Sequence, residues 1–150
     1  MYFQEGRDEG VTVEEWLESV GKLDELIDSK IAERAQIMDL ATRMGAEMDG
    51  MPHAKGNISD PVGNGAVKLV LLAKEIDKAT DEYVDRKQEI IQALETLPER
   101  EYGVLHRYYI RYMTLERIAE DMNYSVTHVW RIKQTAIELL EKMGYPKRKA

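Results

Sequence analysis

TLERIAEDMNYSVTHVWRIKQTA, residues 114–136, decides how the chain is read. Thr114 and Ser125 each stand just ahead of an apolar-periodic run. That is how a helix start is marked, because the hydroxyl oxygen accepts an N–H that the first turn leaves unpaired. Behind Thr114, Leu115, Ile118, Ala119 and Met122 fall on one helical face; behind Ser125, so do Val129, Ile132, Ala136, Ile137 and Leu140. Asn123, between the runs, tolerates the left-handed conformation that ends a helix. Two short helices around a tight turn are the helix-turn-helix arrangement, with the small Ala119 where the helices cross most closely. Burying that face leaves Val126, Thr127, His128, Trp130, Arg131, Lys133 and Gln134 predicted to point outward near the start of the second helix. In DNA readers that end meets base edges in the major groove.

Upstream of this segment, Thr96-Leu97-Pro98-Glu99 closes one element and opens another, since proline disfavours helix at the residue before it and suits the first turn after it. A helix over 98–109 is expected to bury Tyr102, Leu105, Tyr108 and Tyr109, with a short connection at 111–113. Residues 98–143 are read as one domain and 144–150, which contain Lys147, Arg148 and Lys149, as a basic tail.

The N-terminal part has a different texture. Thr12 and Glu15 have capping-box spacing, and Trp16, Val20, Leu23, Ile27, Ile31, Met38 and Ala41 then recur near helical period. Residues 49–60 are rich in helix breakers and are read as a loop. Asp60-Pro61 restarts a helix in which positions 62, 66, 69, 73, 76, 80, 83, 87, 90, 94 and 97 are Val, Ala, Leu, Ala, Ile, Thr, Tyr, Lys, Ile, Leu and Leu. The alternation of four and three is a coiled-coil seam, interrupted only by Thr80 and Lys87. Residues 11–97 are therefore expected to form a long antiparallel hairpin, closed within one chain or between two. The opening MYFQEG resembles the remnant of a cleavable tag, and residues 1–10 are set aside as that or as a disordered start. The fold class is all-α: a coiled-coil-like hairpin followed by a helix-turn-helix domain.

Charge divides the same way. Residues 1–97 carry 11 basic and 21 acidic side chains, and residues 98–150 carry 10 and 7, so a total of −7 hides a cationic C-terminal third. A polyanion would be drawn to that third alone. With no cysteine, disulfides and thiolate metal sites are excluded. His53, His106 and His128 have no metal-ligand spacing, and neither cofactor nor metal is expected. No apolar run approaches the roughly 20 residues that cross a bilayer, and the expected compartment is bacterial cytoplasm. No catalytic constellation stands out, so an enzyme is the weakest reading.

The run LPEREYGVLHRYYIRYMTLERIAEDMNYSVTHVWRIKQTAIELLEKM is similar to the fourth region of sigma-70-type bacterial sigma factors, with their Leu-Pro-Glu-Arg opening, Leu-x-x-Ile-Ala-Glu helix and Ser-capped Val-x-x-Ile helix. The whole arrangement, including the GMPH…SDPVGN loop, resembles small phage-encoded transcriptional regulators of the RinA and ArpU type. That resemblance implies a phage or prophage origin and control of phage gene transcription. With the helix-turn-helix and the seam it makes double-stranded DNA the expected partner and RNA polymerase a second, with the hairpin associating into a homodimer or higher homo-oligomer. Val126-Thr127 stands where sigma factors usually have an Arg-Glu pair, and Arg131 where they have Gln, so the sigma promoter element is not the expected target.

By residue chemistry Val126, Thr127, His128 and Arg131 are the base-reading candidates. Thr114, Arg117, Ser125, Trp130, Lys133, Gln134, Lys147 and Arg148 are the backbone-contact candidates. An interaction protein that binds RNA polymerase or another phage protein without gripping DNA alone is the alternative.

Overall fold

The computed structural model describes residues 10–48 and 61–147, with side chains over 10–44 and 65–147. The described residues are all-helical, without a strand. Helix α1 spans Val13–Met48, α2 Pro61–Leu94, α3 Glu99–Leu105, α4 Leu115–Met122 and α5 Val126–Lys142; a π-helical turn, His106–Ile110, continues α3. The predicted 49–60 loop, His53, Asp60 and the residue 1–6 segment lie outside the described residues, as do Arg148 and Lys149.

Helix α1 begins as its sequence requires. The Thr12 N–H donates to Glu15 Oε1 and the Glu15 N–H to Thr12 Oγ1, both at 3.0 Å. Two orphan donors are thereby satisfied by two side chains three residues apart. Val13, Trp16, Leu17 and Val20 follow, all buried.

The chain divides into two compact units, Met1–Lys22 with Tyr83–Ala150 and Leu23–Glu82. In the first, the start of α1 and the end of α2 run antiparallel, with Arg86 donating to Ser19 at 2.7 Å. Ile90, Ala93, Leu94 and Leu97 share one core with Leu17, Leu105, Ile137 and Leu140. The helix break at Pro98 thus falls inside a continuous core.

The expected 98–109 helix is α3 plus the π turn. Leu105 and Tyr109 are buried as read, but Tyr102 and Tyr108 stay half-buried while Val104 fills a second core. The π turn inserts one residue into the helical repeat and so rotates Tyr108 and the side chains after it, whereas Tyr102 and Val104 lie ahead of it and are placed by the step of about 100° per residue of α3 itself.

The second unit is a two-helix hairpin, also antiparallel: Lys30 donates to Glu75 at 2.8 Å, and Gly65 lies beside Ile37. Its inner stripe on α1 includes Leu23, Ile27, Lys30, Ile37, Ala41 and Met44, each half-buried. Ile31 and Met38, expected inside, are exposed. A straight two-helix contact has one narrow stripe, and a residue one position off it is turned by about 100°. On α2, Leu69, Ala73 and Ile76 of the predicted seam are half-buried, but Ala66 and Thr80 are exposed and Leu72 and Ala79 take the buried places.

Candidate nucleic-acid interface

Helices α4 and α5 are held by local chemistry at all four of their ends. Thr114 Oγ1 accepts the Arg117 N–H at 3.1 Å, and Ser125 Oγ accepts the His128 N–H at 3.0 Å. Asn123 sits in the left-handed region, φ 61°, and the Tyr124 N–H returns to the Ala119 carbonyl at 2.9 Å. At the end of α5, Gly144, φ 91°, lets the Tyr145 N–H reach the Leu140 carbonyl at 3.0 Å and its own N–H reach Glu141. Both ends are Schellman motifs, in which one left-handed residue allows two orphan carbonyls to be paired.

The inner faces close as the sequence implies. Ile118, Ala119, Val129 and Ile132 are buried in one core, with Leu115 and Met122 packed against it. Ala136, Ile137 and Leu140 continue into the core shared with α1 and α2.

Outside, Val126, Thr127 and Arg131 are exposed, and Trp130 between them is 51% exposed. Gln134 is half-buried one turn further on. His128 is half-buried, edge-on to the Tyr124 ring at 4.7 Å, so its imidazole lies against the turn rather than free of it. Thr114, Arg117 and Ser125 are exposed, though both hydroxyl oxygens already serve as caps. Lys147 is exposed, with its ammonium 4.8 Å from the Tyr145 ring centroid.

Lys133 departs from the expectation. Instead of pointing outward it is only 8% exposed, its ammonium 4.8 Å from the Tyr108 ring centroid, 5.7 Å from that of Tyr109 and 3.9 Å from Glu14 Oε2. It follows Ile132 around the helix onto the side facing the π turn and the start of α1, and its stem packs there while carboxylate and ring faces receive the charge. It is a structural cation, removed from the set that can meet phosphate.

Other groups that the sequence did not single out brace the module. Arg107 donates from Nε to Asp121 Oδ2 at 2.9 Å and from Nη1 to the Gly103 carbonyl at 3.1 Å, tying the π turn to α4. A Cβ on Gly103 would stand 3.0 Å from that guanidinium, so glycine is what lets it lie flat on the backbone. The Arg107 hydrogen bond holds the exposed Asp121 carboxyl below its ordinary range.

His106 stacks on Tyr102, and burial, then the charges of Arg111, Arg107 and Lys87, push its pKa down. Tyr145, read as part of the basic tail 144–150, stacks on Trp16 with ring centroids 5.5 Å apart. A glycine followed by an apolar residue past the end of a helix is the legible signal for that docking. The Tyr109 hydroxyl is buried without a hydrogen-bond partner, and burial raises its pKa.

Residues 93–142 match the family described as sigma-70, region 4. The match spans the end of α2, α3, the π turn, α4 and α5, and therefore contains every base-reading candidate. No curated protein and no solved structure gives a significant match to the chain. The C-terminal module is a sigma-70 region 4-like helix-turn-helix. Among the described residues no helix is long and apolar enough to cross a membrane.

Proposed function

We propose that the protein is a sequence-specific DNA-binding regulator of phage or prophage gene transcription, with the first half of α5 inserted in the major groove. The observation that carries this reading is the uncovered stripe Val126, Thr127, Trp130 and Arg131 on a helix whose opposite face is wholly consumed by the core. Arg131 is suited to guanine O6 and N7, and Val126 with the Thr127 methyl to a thymine methyl. His128, held by Tyr124, reaches only groups near the turn, a base edge or a phosphate. Thr114, Arg117, Ser125, Trp130, Gln134, Lys147 and Arg148 supply backbone contacts, which fix register without reading sequence. The acidic hairpin serves self-association or contact with the transcription machinery.

Binding to fragments from the protein's own genomic neighbourhood, measured against random DNA across a salt series, tests the reading. Affinity should fall steeply with salt. Arg131→Ala should lose discrimination by about 1–3 kcal/mol while keeping most non-specific affinity. Absence of any preference at moderate salt would refute direct readout.

One observation favours a second reading. With Lys133 buried, Arg131 is the one cation on the exposed stripe between Val126 and Gln134, a thin charge for gripping a polyanion unaided. In this reading the module docks on RNA polymerase or another phage protein and holds DNA only in that company. Charge reversal at Arg131 would then leave reporter transcription intact while changes on the hairpin abolish it.

A further inference from the structure

In the second unit, apolar side chains collect where the two helices offer nothing to cover them. Ile31, Met38 and Leu40 on α1 and Val67, Val70 and Leu71 on α2 are each between 45% and 58% exposed. The register set by Lys30 with Glu75 and Ile37 with Gly65 brings these six to the same half of the hairpin, the one away from residues 23 and 82. At about 100° per residue they divide between two flanks of the inner stripe: Ile31, Met38 and Val70 on one, Leu40 and Leu71 on the other, with Val67 turned away from α1. Seven of the eight residues in 66–73 are apolar, Lys68 being the exception. The partner helix can cover one side of such a segment, and it takes Leu69, Leu72 and Ala73. A helix apolar on nearly every side belongs in a core with further neighbours.

We propose that the flank carrying Ile31, Met38 and Val70 pairs with the same flank on a second copy of the chain, two hairpins closing into a four-helix bundle over residues 31–44 and 65–74. The inference deepens the reading of the hairpin as an association element and names its surface and occupant. Charge selects the occupant. Residues 31–44 and 65–74 hold four basic and two acidic side chains, whereas 23–30 and 75–82 hold two basic and seven acidic.

A basic protein would be drawn to the carboxylates of 23–30 and 75–82. Within the hairpin, the patch segment carries both signs without an acidic excess, so two copies of an acidic chain can meet there without strong repulsion. The connecting stretch 49–60 offers only Met51 and Ile58 as large apolar side chains, too few to cover six. A twofold contact uses one patch twice and needs no other protein.

Sedimentation equilibrium of the full chain without DNA, from about 1 to 100 µM, is the test. The wild type should run as two chains. Val70→Glu and, on the other helix, Ile31→Glu should each weaken the dimer at least ten-fold while circular dichroism keeps its helical signal. Val70→Ser, with the milder side chain, provides the same readout should glutamate disturb the helix.

A wild-type monomer throughout the range, a mass other than two chains, or a dimer indifferent to all three changes would overturn the proposal. A monomer would point instead to cover by the chain's own ends or by a different protein. Because no DNA is present, failure here leaves the base-reading proposal standing, and failure of the Arg131 experiment leaves this one standing.

Discussion

The helix-turn-helix module and the Leu23–Glu82 hairpin are both helical and both amphipathic, yet they are stabilised differently. The module has short helices with caps at nearly every end, two left-handed stops and cores in which Ile118, Val129 and Leu140 are fully buried. The hairpin has longer helices and a single inner stripe, where among the described residues Leu72 and Ala79 are the buried apolar ones and several large side chains stay exposed. A short helix cannot survive on propensity and is held by packing and capping, whereas a two-helix contact buries too little to fix a structure by itself. The module is thus built to hold one surface in a set shape, and the hairpin is built to be completed.

Core truncation should separate the two most strongly. Ile118→Ala removes a fully buried side chain and should cost the module about 2–5 kcal/mol, read as a shift of the urea midpoint. Leu26→Ala, on an exposed hairpin position, should stay within about 0.5 kcal/mol. Equal losses would mean that the hairpin has a core of its own.

Lys133 gives the next largest effect. Lys133→Ala should destabilise the module by about 1–3 kcal/mol, because it empties a packed site and leaves Tyr108, Tyr109 and Glu14 without their cation. Lys133→Met, which keeps the stem, should recover part of that. Neither variant should change the salt slope of DNA binding. A slope reduced by about one in Lys133→Met would return the residue to the phosphate-contacting set.

Loss of a cap comes third. Ser125→Ala should cost about 1 kcal/mol by freeing the His128 N–H, and the effect should appear in thermal unfolding even without DNA.

The smallest effect is a pH dependence. His106 has its pKa lowered in the folded chain from an ordinary 6.5, so below about that pH the unfolded state binds more protons than the folded one. Its contribution is therefore fully present above pH 6.5 and is lost as pH falls toward the folded value. Comparing urea midpoints at pH 7.5 and 5.5 should show a drop in the wild type that is reduced in His106→Gln.

Where the sequence was legible, the signal was short-range. Thr12 with Glu15, Thr114, Ser125 and Asn123 each act on backbone groups within a few residues, so their spacing suffices to place helix ends. The exposed stripe of α5 was legible for the same reason, since Val126, Thr127 and Arg131 follow from where α5 begins. Lys133 was not, because its position on the wheel is ambiguous until the π turn and the start of α1 are known to lie beside it.

The seam shows the same division. Helical periodicity in one segment and alternation of four and three in the other announced two long helices, but placing Ile37 inside and Met38 outside depended on which stripe of α1 faced α2. A one-residue choice there reverses which side chains meet water. Nor did the break at Pro98 mark a change of core, because Ile90, Leu94 and Leu97 pack onto Leu105, Ile137 and Leu140 far along the chain. The sequence by itself determined the all-helical class, the capped starts of α1, α4 and α5 and the frame of the helix-turn-helix, all set by periodicity and by hydrogen bonds across three to five residues. Only the tertiary structure decided the burial of Lys133, the docking of Tyr145 on Trp16 and the rotation that leaves an apolar patch on the hairpin, because each depends on a neighbour distant in the chain.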